Sequence, residues 1–144
     1  MNTVKIDKKN CRMIAHRGVS GLEKENTCAA FVAAGVKTYY GIETDVHVTA
    51  DGEYFIFHDD NMQRIAGVDM DIERSTAEQL RTVRMPDTDG KTFRSDLVVP
   101  ALKDYISICG KYDKTAVLEL KNPMERKHVL NIAALVKDMG WLDR

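Results

Sequence analysis

The sequence predicts an α/β fold on a mostly parallel sheet. Three observations predict it: short apolar runs alternate with helix-period segments, those segments are long enough for the crossovers that parallel strands need, and charged side chains gather where the runs end. The chain has 144 residues, 44% hydrophobic and 30% charged, the range of an ordinary globular protein with a buried core. A single domain over 1–144 is expected.

Arg12 to Ala15 reads as a first strand running into His16-Arg17-Gly18, followed by a loop to Glu25-Asn26-Thr27. From Thr27 to about Lys37, Ala30, Phe31, Ala34 and Val36 recur at helical spacing, with Asn26 or Thr27 as the cap. Tyr40 to Val48 alternates and is rich in β-branched residues, Asp51-Gly52 is a tight turn, and Tyr54 to Phe57 is a further strand ending at His58-Asp59. That turn joins either irregularly connected parallel strands or an antiparallel edge hairpin. Asn61 to Arg94 reads as an irregular insertion, with a Ser75-x-x-Glu78 capping box opening a short helix to about Val83. Leu102, Tyr105, Ile106 and Cys109 then share a helical face that Gly110 stops, and Thr115 to Leu120 is a strand. Asn122-Pro123 is expected to open a last helix, whose apolar stripe is Val129, Ile132, Leu135, Val136 and Met139 and whose stop is Gly140.

Lysine and arginine number 21 against 22 acidic residues, a formal net charge of -1. So even a balance supplies no long-range field toward nucleic acid or an anionic membrane, and any phosphate must be met by local groups. No apolar run approaches the roughly 20 residues that span a bilayer, so no stable membrane insertion is expected. Met1 to Asn10 carries lysines and an aspartate with no apolar stretch behind them, which predicts neither a leader nor an anchor and a cytoplasmic address. Cys11, Cys28 and Cys109 are odd in number and far apart, which predicts reduced, mostly buried thiols and no zinc-type cluster.

Alternation in a strand puts Glu43, Asp45 and His47 on one face and Ile42, Thr44, Val46 and Val48 on the other. The same rule separates Val117, Glu119 and Lys121 from Leu118 and Leu120. Leucines turned toward helices leave Glu119 facing inward with the other two acids. Three inward carboxylates repel one another and lose hydration, so they call for a cation, and all-oxygen donors favour Mg2+ or Ca2+ over zinc. The plainer reading of Glu43 and Asp45 is a solvated sheet face. His16 and His58 each end an apolar strand, as structural hydrogen-bonding residues or as proton-transfer groups. Arg17 and Lys121 either meet an anionic substrate or balance the acids. Taken together, the constellation suits metal-assisted phosphoryl-ester hydrolysis.

Ile14-Ala15-His16-Arg17-Gly18, Glu25-Asn26-Thr27, Ile42-Glu43-Thr44-Asp45-Val46, Thr49-x-Asp51-Gly52, Phe57-His58-Asp59, Val99-Pro100-x-Leu102 and Leu118-Glu119-Leu120-Lys121 follow one another over residues of roughly 12 to 122. In this order and spacing the chain resembles the glycerophosphodiester phosphodiesterase family. The resemblance implies a TIM-type barrel with its site at the C-terminal strand ends. It also implies hydrolysis of a small-molecule glycerophosphodiester, such as glycerophosphocholine or glycerophosphoethanolamine, to glycerol 3-phosphate and an alcohol. By motif, Glu43, Asp45 and Glu119 would hold one divalent cation, His16 and His58 would be general base and acid in unassigned order, and Arg17 and Lys121 would contact the phosphate. His47 is expected to be structural and His128 to sit at a helix edge.

Such a barrel takes about 250 residues in eight strand-helix units. Four candidate barrel strands end here at about His16, Asp45, His58 and Lys121, so the chain predicts the N-terminal half of the barrel. The strand over Thr115 to Leu120 is then expected to expose an unpaired edge. Three states fit that expectation: a homo-oligomer that completes the sheet, a glycerophosphodiester- or phosphate-binding half-barrel without turnover, or an inactive truncated product.

Overall fold

The computed structural model describes residues 9–144. The stretch read for a leader, Met1 to Asn10, lies outside the described residues apart from Lys9 and Asn10. The element order is β1 (Ile14–Ala15), α1 (Cys28–Gly35), β2 (Gly41–Val48), β3 (Tyr54–Ile56), α2 (Gln63–Ala66), α3 (Ala77–Thr82), β4 (Arg84–Pro86), β5 (Phe93–Val98), α4 (Leu102–Lys111), β6 (Thr115–Leu120) and α5 (Arg126–Asp138). A single 3-10 turn at Ile72–Arg74 precedes α3.

β2 is the centre of the main sheet. β6 lies parallel along one edge, from Gly41 opposite Thr115 to Val46 opposite Leu120. The other edge is shared end to end: β1 pairs in parallel at Gly41 and Ile42, and β3 returns antiparallel opposite Val46, His47 and Val48. All the candidate strands therefore form, but of the two readings of the Asp51-Gly52 turn the antiparallel hairpin is the one observed, so β1, β2 and β6 run parallel as barrel strands do and the strand ending at His58 does not. Thr49 closes it, its N–H donating to the Glu53 carbonyl while Gly52, at φ +85°, donates back to the Thr49 carbonyl. A left-handed φ is the conformation that glycine adopts without cost. The sheet is open: the outer edge of β6 meets no strand among the described residues, and there Ala116 N–H donates to the Arg144 carbonyl.

Two apolar cores result. Helices α1, α4 and α5 cover the sheet through Phe31, Ile42, Val46, Ile56, Leu102, Tyr105, Ile106 and Ile132. Tyr105, fully buried, donates its hydroxyl to the Ile42 carbonyl at 2.7 Å and accepts from Val117 N–H at 3.0 Å, tying α4 to both parallel strands. The insertion packs with the residues that flank it around a second core of Phe55, Phe57, Met62, Ile65, Ile72, Leu80, Met85, Leu97 and Val99.

Several local expectations shift. The capping box that opens α3 is Thr76 with Gln79 instead of Ser75 with Glu78, because the Ser75 hydroxyl is spent on the Asp71 carbonyl at 2.7 Å. α5 opens at Arg126, not at Asn122-Pro123, because Asn122 takes a left-handed φ of 58° and turns its amide toward other loops. The insertion holds more order than its composition indicated: β4 and β5 form an antiparallel pair with a register shift. The described cysteines are all free, and of them Cys109 is buried, Cys28 half-buried and Cys11 exposed, the last departing from the expected burial. Burial pushes the Cys28 and Cys109 thiols up to about 11, so both stay protonated at neutral pH.

Candidate active site

Parallel pairing of β1, β2 and β6 brings their C-terminal ends to one rim, and register then decides which side chains meet. Asp45 stands opposite Glu119, with Glu43 one inward position below. Glu43, Asp45 and Glu119 each turn a carboxylate oxygen to within 4.8 Å of the others. Glu43 and Asp45 thus line an enclosed inner face, not a solvated one: Asp45 is 1% exposed, whereas Glu119 is 56% exposed on the open side.

The β1 end turns sharply at Arg17 (φ 54°) and Gly18 (φ 76°), and Gly18 lies so close to Ala30 that a Cβ would come within 2.7 Å of that residue's backbone. A left-handed arginine costs about 1–2 kcal/mol. Here it aims the Arg17 N–H at Glu43 Oε2, 2.8 Å away. The Arg17 guanidinium donates to Glu25 Oε1 at 2.9 Å and stands 3.8 Å from Asp45 Oδ2, its buried Nε without a hydrogen-bond partner. His16 Nε2 lies 3.9 Å from Glu43 Oε2 on an exposed side chain. Burial raises the Glu43 carboxyl above its ordinary value, and the neighbouring Asp45 charge adds to that.

Asn26 explains why Asp45 tolerates burial. Its amide donates to Asp45 Oδ2 at 2.8 Å and accepts the Thr44 hydroxyl at 2.8 Å, both from a left-handed backbone at φ 54°. The cap of α1 is left to Thr27, whose Oγ1 accepts from Ala30 N–H. On the β6 side, Lys121 Nζ donates to Glu119 Oε1 at 2.9 Å and lies 3.8 Å from Asp45 Oδ1. The Glu119 bond raises Lys121, and the Lys121 bond lowers Glu119, so both stay charged at neutral pH.

His58, just beyond β3, presents Nδ1 to Asp59 Oδ1 at 2.6 Å. Asp59 is held well below the carboxylate range, first by Arg64. Every singled-out residue except His47 and His128 therefore reaches the same rim or the loop beside it. His47, fully buried, has Nδ1 3.3 Å from Glu73 Oε1 and Nε2 without a partner. His128 sits on α5 with Nδ1 3.1 Å from the Tyr54 hydroxyl. Glu25 lies in a recognised motif without an assigned task, Asn26 is expected there as one of two candidate caps and not as a partner of Asp45, and Arg64 carries no motif or periodic signal at all. Their parts rest on contacts across 19 and 39 positions of sequence.

The donor set fits a hard cation. Three carboxylates converge as acceptors, one of them disfavoured as a bare anion by burial, and among the described residues no nitrogen or sulfur ligand joins the cluster.

The profile of the glycerophosphoryl diester phosphodiesterase family matches residues 16–142, and the chain belongs to that family. It is 33% identical over 118 residues to the protein YqiK of Bacillus subtilis (strain 168), covering 80% of this chain and 47% of that one. It is 31% identical over 110 residues to a glycerophosphodiester phosphodiesterase of Caldanaerobacter subterraneus subsp. tengcongensis, covering 76% of this chain and 45% of the relative. Among solved structures, an Oleispira antarctica phosphodiesterase in complex with the product sn-glycerol-3-phosphate superposes with a TM-score of 0.75 at 28% identity, over 91% of this chain and 53% of that one. An Agrobacterium tumefaciens glycerophosphodiester phosphodiesterase gives 0.77 at 25% identity, over 90% and 54%. These neighbours are TIM-type barrels, so the open sheet is the corresponding part of such a barrel. The chain spans about half the length of the relatives it matches.

Proposed function

We propose that this chain, as a single partial barrel domain over residues 1–144, carries the catalytic rim for hydrolysis of glycerophosphodiesters to glycerol 3-phosphate and an alcohol. The observation that supports it best is the convergence of Glu43, Asp45 and Glu119 beside Arg17 and Lys121 at one end of the parallel strands. Glu43, Asp45 and Glu119 would hold one divalent cation, Mg2+ or Ca2+, which when bound supplies Lewis-acid polarisation of a phosphoryl oxygen. Arg17 and Lys121 hold the remaining phosphoryl oxygens, Lys121 exchanging its Glu119 bond for one of them. Of His16 and His58, one takes the proton from the attacking oxygen as its bond to phosphorus forms. The other returns a proton to the alcohol oxygen as that bond breaks. The Asp59 contact at Nδ1 leaves Nε2 of His58 as the exchanging nitrogen. The substrate is a small molecule, and a net charge of -1 supplies no long-range field toward nucleic acid. Among the described residues no helix is long and apolar enough to cross a membrane. The free cysteines support a cytoplasmic address.

The test is release of glycerol 3-phosphate from glycerophosphocholine by the purified chain, with Mg2+, with Ca2+ and with a chelator, and with His16→Ala as control. Chelator-sensitive turnover that the variant loses supports hydrolysis. The open β6 side, with Glu119 at 56% exposure, favours a second reading: a phosphate-binding half-barrel without turnover, or a chain that works only when a second copy completes the sheet. Solution mass separates these, because a folded, active monomer removes the need for a second copy.

A further inference from the structure

We propose that Arg64, which lies outside every recognised motif, is a positioning residue that locks His58 and Arg17 into one rigid array. The inference deepens the reading of His58 as a proton-transfer group and Arg17 as a phosphate contact, and it rests on that reading for its purpose though not for its geometry.

The Arg64 guanidinium is a double fork. Nε and Nη2 donate to the two oxygens of Asp59 at 2.6 and 2.9 Å. Nη2 and Nη1 donate to the two oxygens of Glu25 at 2.9 and 3.3 Å. Each carboxylate then turns one oxygen toward the site: Asp59 Oδ1 meets His58 Nδ1 at 2.6 Å, and Glu25 Oε1 accepts from Arg17 Nη1 at 2.9 Å. A continuous path runs from His58 through Asp59, Arg64 and Glu25 to Arg17. It spans the gap between the loop after β3 and the loop after β1, which approach each other along one edge of β2 from strands at its two ends.

A lone arginine at the surface adds little, because long side chains move and solvent screens them. Arg64 differs in three respects. Its two carboxylate partners are 23% and 20% exposed, so the ion pairs are partly withdrawn from water. The neighbouring Ile65 and Ala66 are buried in the insertion core, which anchors the short helix that carries it. The planar fork matches both carboxylates, a geometry that an ammonium does not reproduce. With both oxygens of Asp59 engaged, the carboxylate has no freedom to rotate away from His58. It therefore selects the tautomer with the proton on Nδ1 and leaves the Nε2 lone pair free.

The test reads that tautomer directly. Ring 15N shifts of His58 are measured in the folded chain on the high-pH plateau, where they no longer change with pH. The wild type should show the proton on Nδ1, and a wild-type ring protonated on Nε2 overturns the proposal without any variant. In Arg64→Ala the signal should move to a mixture of tautomers, and affinity for glycerol 3-phosphate should fall roughly tenfold as Arg17 loses its brace. Arg64→Lys keeps the charge and loses the fork, so it should behave as Arg64→Ala does. A folded Arg64→Ala with unchanged ring shifts, or full rescue by lysine, overturns the positioning role. These shifts do not require turnover. An inactive wild type with the Nδ1–H signature would count against the hydrolase reading alone, and an active enzyme indifferent to Arg64 would count against this inference alone.

Discussion

β2 and β6 pair residue for residue over the same stretch and contribute acids to the same cluster, yet they live in different surroundings. β2 has a strand on each edge and helices over one face, and Ile42, Thr44, Asp45, Val46 and His47 are all buried. β6 has a strand on one edge, and Val117, Glu119 and Leu120 are exposed. The consequence is chemical. Asp45 is held by Asn26 and flanked at 3.8 Å by Arg17 and Lys121, so its position is determined by several elements at once. Glu119 has Lys121 for a neighbour and open space beyond it. A buried edge holds a carboxylate from several elements at once, whereas at the open edge the carboxylate is held by a single lysine of its own strand end.

The strongest break of this comparison is in chemistry. His16 and His58 stand beyond the sealed edge of β2, and His58→Ala should lower glycerophosphocholine turnover by roughly 10²- to 10⁴-fold, as should His16→Ala. Steady-state kinetics with unchanged circular dichroism checks it, and near-normal turnover would remove that histidine from the reaction. Next is the cost of truncation in the two strands. Ile42→Ala should cost about 2–5 kcal/mol, because it empties a fully buried position. Leu120→Ala, 38% exposed at the start, should cost under about 1 kcal/mol in the same urea titration. Equal costs would mean that the edge of β6 is covered in solution, which sedimentation would then show as a larger particle.

A finer contrast separates the acids. Asp45→Asn leaves Arg17 and Lys121 facing a neutral group and should lower stability by about 1–3 kcal/mol as well as weaken cation binding. Glu119→Gln should leave the urea midpoint nearly unchanged and act on cation affinity measured by calorimetry. An unaltered cation requirement would take Glu119 out of the ligand set. The smallest effect belongs to Glu43. Burial raises its carboxyl in the folded state, so the folded chain prefers it protonated and its ionisation opposes folding. That penalty is absent below the ordinary carboxylate value, develops as pH rises from there through the raised value, and is complete above it. In chelator at neutral pH, Glu43→Gln should therefore raise the melting temperature by about 2 °C, and the gain should vanish in acid. A gain that persists at low pH would mean that packing, not charge, is responsible.

Strand alternation was enough to place Glu43, Asp45 and Glu119 on inward faces, because a two-residue period is a local property of the backbone. Helix faces such as Leu102, Tyr105, Ile106 and Cys109 were legible for the same reason. The cap of α3 slipped from Ser75 to Thr76 because the Ser75 hydroxyl met a carbonyl that only the folded turn puts within reach. The β4–β5 pair was hidden because its residues do not alternate cleanly and its outer face is exposed. Arg64 had no signal because an arginine on a single helical turn looks the same in sequence whether it is solvated or bridging two carboxylates.

By itself, then, the sequence determined the α/β order, the inward acids, the strand-end histidines and the family, since all of these follow from short-range period and motif spacing. Tertiary structure decided that the Asp51-Gly52 turn makes an antiparallel hairpin, that β1 and β3 share one edge of β2, and that Asn26 and Arg64 become braces. Those outcomes depend on which groups remain unpaired once distant segments meet, and no local pattern encodes the partner that a buried polar atom will find.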